Sequence, residues 1–186
     1  WSLVGSEMCI RDSNWSSLVV CDLMMVKPGD EQQLQRGRER RNRAPRPHRI
    51  YETYGEARAR FRLAPDQPCA NDFLVEYMAR HSLRRVESGW VWKFDPAIMT
   101  SDNDRDANWW LDLAPRFANL DRPRAFIYGA HSELFDSELA AYVTGLAREA
   151  LPMVPVPNAH HHIMLDEPIA FAATIDAVLQ GLSASA

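Results

Sequence analysis

Three short apolar runs constrain this chain more than anything else in it. They are Ser17 to Val26 (SLVVCDLMMV), Arg124 to Tyr128 (RAFIY) and Pro152 to Val156 (PMVPV). Each lacks polar alternation, which marks a strand covered on both faces rather than one. The first is closed by Lys27-Pro28-Gly29, the second by Gly129-Ala130-His131, the third by a loop beginning at Asn158. The stretches between them carry helical signals. Ile50 to Phe61 spaces Tyr51, Tyr54, Ala57 and Phe61 for one helix face. Asn71 is placed to cap a helix over Asp72 to His81, and Asp72 suits the positive end of its dipole. Asn108 to Ala114, Ser137 to Ala150 and Glu167 to Leu179 read as further helices, with Gly181 past the end of the last. Buried strands separated by helices predict an α/β fold with about three parallel strands in a doubly wound sheet.

Bulk properties exclude several classes. The chain has 186 residues, of which 46% are apolar, enough for a real core. Its formal net charge of −4 argues against general affinity for nucleic acid or anionic membranes. The basic run from Arg36 to Arg49 reads as a solvated helix face. Three cysteines, Cys9, Cys21 and Cys69, are too far apart for a metal or disulfide framework, so a reducing, cytoplasmic setting is expected and no metal or cofactor is predicted. The longest apolar stretch, Leu18 to Val26, includes Asp22 and falls short of the roughly 20 residues that a membrane helix needs.

Candidate chemistry gathers in Asn158-Ala159-His160-His161-His162-Ile163-Met164-Leu165-Asp166-Glu167-Pro168. An apolar segment, a small residue, histidine and then a helix opening is how a strand delivers an imidazole into a loop, and strand ends are where rigid scaffolds place reactive groups. This segment resembles the histidine loop of the α/β-hydrolases. A second segment, Gly89-Trp90-Val91-Trp92-Lys93-Phe94-Asp95-Pro96, resembles a Gly-Trp-x-Trp-Lys-Phe-Asp-Pro element of a bacterial group of that family, where it follows the lid helices. The resemblance covers roughly residues 17 to 180. It implies a core of 14–30 and 97–186 with a helical lid over 31–96, and an esterase-like hydrolase acting on a small organic molecule.

The resemblance also assigns roles. A hydrolytic nucleophile needs an imidazole to take its proton and a carboxylate to orient that imidazole. The family pattern selects His161 as the catalytic histidine. His162 would pack or face the lid, and His160 stands where relatives often carry glycine. The subgroup pattern Gly-x-x-Ser-Asp aligns Glu133 with the acid. Asp22, at the end of the first strand, is the alternative, since some members draw the acid from there. Asp136 and Asp166 read as helix N-terminal residues. Trp90 and Trp92 share a strand face with Phe94 by the period of two and are candidate lid or substrate-lining residues.

One expected motif is missing. None of the eight glycines lies four residues from another around a serine, so the Gly-x-Ser-x-Gly nucleophile turn is not found. In the family the nucleophile precedes acid and histidine, so the chain is expected to be the C-terminal part of an enzyme, inactive alone. The opening Trp1 to Ser13, WSLVGSEMCIRDS, has no starting methionine and resembles a translated adapter segment, to be left out of fold reasoning. Two other readings remain: an aspartate-nucleophile enzyme of the haloalkane dehalogenase or epoxide hydrolase type, and a non-catalytic binding protein on the same fold.

Overall fold

The structure, a computed structural model, describes residues 16–30, 49–95 and 109–184. The expectations for residues 1–13 and for the basic run as far as Arg46 lie outside the described residues. The chain divides into two compact units, one of residues 1–25 and 112–186, the other of residues 26–111.

The first unit is built on a parallel sheet of order β1-β4-β5, with β1 Leu18–Cys21, β4 Arg124–Gly129 and β5 Met153–Val156. Leu18 pairs with Arg124 and Phe126 with Met153, so the registers place the C-terminal ends of the strands together. All six residues of β4 are buried, as a central strand covered on both faces requires. Period-two alternation then sorts its side chains into two cores. Phe126 and Tyr128 join Phe117, Phe135, Leu139 and Val143 on one face. Ile127 joins Val156, Ala159 and Ile163 on the other, backed by Phe171, Ile175 and Val178. Helices α3 (Trp109–Ala118) and α4 (Ser137–Leu146) supply the first layer, α5 (Ile163–Asp166) and α6 (Pro168–Ala184) the second.

Local chemistry sets the element ends. Asp136 caps α4 by accepting the Leu139 N–H at 2.7 Å, as its position beside a predicted helix suggested. The buried Arg124 reaches back to the carbonyls of Ala118 and Leu120 at the end of α3. Several boundaries differ from expectation, among them α4, which ends at Leu146 rather than Ala150, and α3, which runs to Ala118 rather than Ala114. The 17–26 run is strand only to Cys21, because the backbone turns at Asp22 with a φ of 43°. Asp166 ends α5 instead of opening a helix. Gly181 lies inside α6, which continues to Ala184 because Leu182 is still buried against the core.

The second unit contains α1 (Tyr54–Ala59), α2 (Asp72–His81) and a hairpin of β2 (Leu83–Val86) with β3 (Gly89–Trp92). The segment expected to be a helical lid thus holds two strands as well as helices. Tyr51 bridges to Trp90, its N–H and carbonyl both bonded to that residue, at 2.9 and 2.8 Å. Gly89 has to be glycine here: its φ is 139°, and a Cβ would sit 2.2 Å from the Tyr51 carbonyl oxygen. The α2 bounds match those read from Asn71 and Asp72. Glu76 ties α2 to α1 through the Tyr54 hydroxyl at 2.6 Å and through Arg58. These two donors, Tyr54 first, hold the Glu76 carboxyl below the usual carboxylate range.

Candidate active site

The C-terminal ends of β1, β4 and β5 converge on one buried carboxylate, Asp22. It follows directly on β1, is 2% exposed, and occupies left-handed backbone, a conformation a non-glycine residue holds only when its surroundings over-determine it. The surroundings do so. Its N–H donates to the Ile127 carbonyl at 2.8 Å, continuing the β1–β4 ladder one step past the strand. Its Oδ2 accepts the Gly129 N–H at 2.7 Å, and its Oδ1 accepts the Ser132 hydroxyl at 2.6 Å.

The same Oδ1 lies 3.1 Å from Nδ1 of His161, whose side chain is 25% exposed. His161 is delivered by the loop between β5 and α5. Asn158 adopts φ of 61°, a left-handed turn that asparagine tolerates, and the buried Ala159 follows. The loop then crosses directly over Gly129: a Cβ there would lie 2.2 Å from the His160 carbonyl oxygen and 2.5 Å from that of Ala159. Only a glycine lets the loop run this close to β4. A second histidine–aspartate contact clamps the loop from its far side. Asp166 Oδ2 accepts the His160 N–H at 2.7 Å and lies 3.1 Å from His160 Nδ1.

The sequence-derived residues therefore separate. His161 meets a carboxylate, but that carboxylate is the alternative, Asp22, and not Glu133. Glu133 is exposed in the turn after β4, while its neighbour Ser132 points inward to Asp22. The reason is the turn itself. Ser132 N–H bonds back to the Gly129 carbonyl at 3.0 Å, and Phe135 is buried beneath it, so position 132 faces the site and position 133 faces solvent. His162 packs its ring 4.8 Å from that of His161. Trp90 and Trp92 are engaged within their own unit: Trp90 meets Tyr54 edge-on at 5.5 Å, and Trp92 contacts Tyr51 and Phe61. Ser132 was passed over in the sequence, although its place three residues after a strand-ending glycine was visible.

A sheet of parallel strands, helices on both faces, and a histidine–carboxylate pair at the strand ends can be compared with solved structures. E-2-(acetamidomethylene)succinate hydrolase superposes with a TM-score of 0.66 at 22% identity, over 89% of this chain and 57% of that one. An esterase from Mycobacterium tuberculosis gives a TM-score of 0.62 at 19% identity, over 96% of this chain and 57% of the esterase. A peroxisomal α/β-hydrolase from Saccharomyces cerevisiae gives 0.60 at 11% identity, over 95% and 50%. The chain carries the α/β-hydrolase fold. It spans between 50% and 57% of the length of these three structures. No family model matches the chain, and no curated protein does. Asp22 follows β1 and His161 follows β5, the two strands that flank β4 in the sheet order, while β4 ends at Gly129 with Ser132 in the turn after it.

Proposed function

We propose that this chain supplies the acid–base half of a hydrolase site, with His161 as the general base and Asp22 as its carboxylate partner. The observation that carries the reading is the 3.1 Å approach of His161 Nδ1 to a buried, otherwise hydrogen-bonded Asp22. A carboxylate so placed fixes the ring with its proton on Nδ1. Nε2, on the opposite edge of the imidazole, is then the nitrogen that accepts a proton from a hydroxyl nucleophile and later returns it to the leaving group. The positive charge that develops on the ring is stabilised by Asp22 at short range in a water-poor setting.

The nucleophile and the oxyanion donors belong, in this reading, to a segment outside the given sequence, since no Gly-x-Ser-x-Gly turn occurs within it. Residues 31–96 are, in this reading, the lid region, and the substrate is a small organic ester or a molecule with a related bond. The hydrolase and esterase names of the structural neighbours support the reaction class. Glu133, exposed and facing away, is not the acid. The test is a protein in which the coding sequence upstream of residue 14 has been restored. It should hydrolyse p-nitrophenyl esters, and His161→Ala should remove nearly all of that activity. Full turnover in the His161→Ala protein would overturn the proposal.

A further inference from the structure

We propose that Ser132 is a positioning residue of the acid–base pair: its hydroxyl locks Asp22 in the one rotamer that turns Oδ1 toward His161. This inference rests on the assignment of Asp22 and His161 made above, and it concerns a residue to which neither motif nor fold assigns a role. Asp22 Oδ2 is held by one donor, the Gly129 N–H at 2.7 Å. Oδ1 is held by the Ser132 hydroxyl at 2.6 Å and is also the oxygen that faces His161 Nδ1 at 3.1 Å. Ser132 and His161 thus meet the same oxygen from two different loops.

A hydroxyl can both donate and accept, so its direction has to be fixed before it can orient anything. Here it is fixed. Ser132 Oγ accepts the Leu134 N–H at 3.1 Å, which leaves its own proton to point at Asp22. The turn that positions it is closed by the Ser132 N–H on the Gly129 carbonyl at 3.0 Å. One short turn therefore presents two donors, Gly129 N–H and Ser132 O–H, to the two oxygens of one carboxylate. Asp22 is only 2% exposed, so water has little access to replace a lost donor. Without Ser132, Oδ1 is met by His161 alone among the described residues, so nothing independent of the histidine holds that oxygen, and the carboxylate can rotate about Cβ–Cγ and weaken its alignment with His161.

The test uses the full chain with 15N-labelled histidine, read by NMR at mildly alkaline pH. The His161 signals are assigned by their absence in His161→Gln. The parent chain is expected to hold the His161 proton on Nδ1, with a downfield Nδ1–H resonance. In Ser132→Ala the fraction of rings not bonded to Asp22 should rise about tenfold, the ordinary effect of losing one charge-assisted hydrogen bond. Ser132→Thr and Ser132→Val share one shape and differ in the hydroxyl, so threonine should keep the parent signature and valine should lose it. This pair keeps the test decisive if the alanine variant fails to fold. Asp22→Asn should abolish the Nδ1–H signature outright. An unchanged His161 signature in Ser132→Ala or Ser132→Val, with the loss still seen in Asp22→Asn, would overturn the role of Ser132 and leave the pair standing. An unchanged signature in Asp22→Asn would overturn the pair itself.

Discussion

Gly129→Ala should damage the site without touching either member of the acid–base pair. The backbone of Gly129 lies outside the left-handed region, so alanine brings no torsional penalty, and the whole effect is steric. A Cβ at this position would stand 2.2 Å from the His160 carbonyl oxygen, 2.5 Å from that of Ala159 and 2.7 Å from the His160 carbonyl carbon. Ordinary contact begins a little above 3 Å, so the loop has to retreat by about 1 Å. β4 itself cannot move in compensation, being buried along its length and bonded on both edges. A retreat of that size takes the 3.1 Å His161–Asp22 contact to about 4 Å, beyond hydrogen-bonding range. Overpacking of this kind costs about 1–3 kcal/mol, and the lost bond about 1 kcal/mol more. Urea denaturation followed by far-UV circular dichroism should show the earlier midpoint, and the His161 Nδ1–H resonance should disappear. Gly181→Ala is the control. It lies in α6 with nothing within 4 Å of the added Cβ, and should stabilise by about 0.5–1 kcal/mol. A Gly129→Ala chain with the parent midpoint and an intact resonance would refute the argument.

Three further outcomes are expected. Glu76, whose carboxyl is held low by Tyr54 and then Arg58, contributes stability that is complete above the ordinary glutamate range and fades as pH falls through the lowered value. Glu76→Gln should therefore flatten the acid limb of a stability-against-pH curve, by a small amount because the group is exposed; an acid limb unchanged by the substitution would count against it. The 186-residue chain alone should not hydrolyse p-nitrophenyl esters; turnover lost on mutating one of its own serines would contradict this. Among the described residues β1 pairs on one edge only, with β4, so the isolated chain should self-associate, and light scattering showing a monodisperse monomer would speak against it.

What the sequence disclosed and withheld follows from range. The strands β1, β4 and β5 were legible as unbroken apolar runs, although the expected burial on both faces holds along β4 only, β1 being half-buried with Cys21 exposed and β5 leaving Pro155 exposed; α2 was legible because its cap and dipole signals are local. β2 was not read: Leu83-Arg84-Arg85-Val86 has two exposed arginines and becomes a strand through its pairing with β3. His161 was picked from a local loop pattern. The carboxylate it meets in the structure is Asp22, the candidate ranked second, because that choice depends on a contact across 139 positions, between residues 22 and 161. Nothing local distinguishes an inward Ser132 from an inward Glu133; the turn closed on Gly129 and the buried Phe135 decide it. The left-handed backbone at Asp22 is equally invisible in a run of apolar residues, and it is what ends β1 at the carboxylate.

The most direct test of the central claim compares two carboxylates in the protein restored upstream of residue 14, by the rate of p-nitrophenyl ester hydrolysis. Asp22→Asn should lower kcat by about 10⁴-fold, because an amide in this place favours the wrong tautomer of His161 and cannot stabilise its charge. Glu133→Gln should leave kcat within about twofold, as expected of an exposed side chain outside the site. A large loss with Glu133→Gln and none with Asp22→Asn would contradict the account.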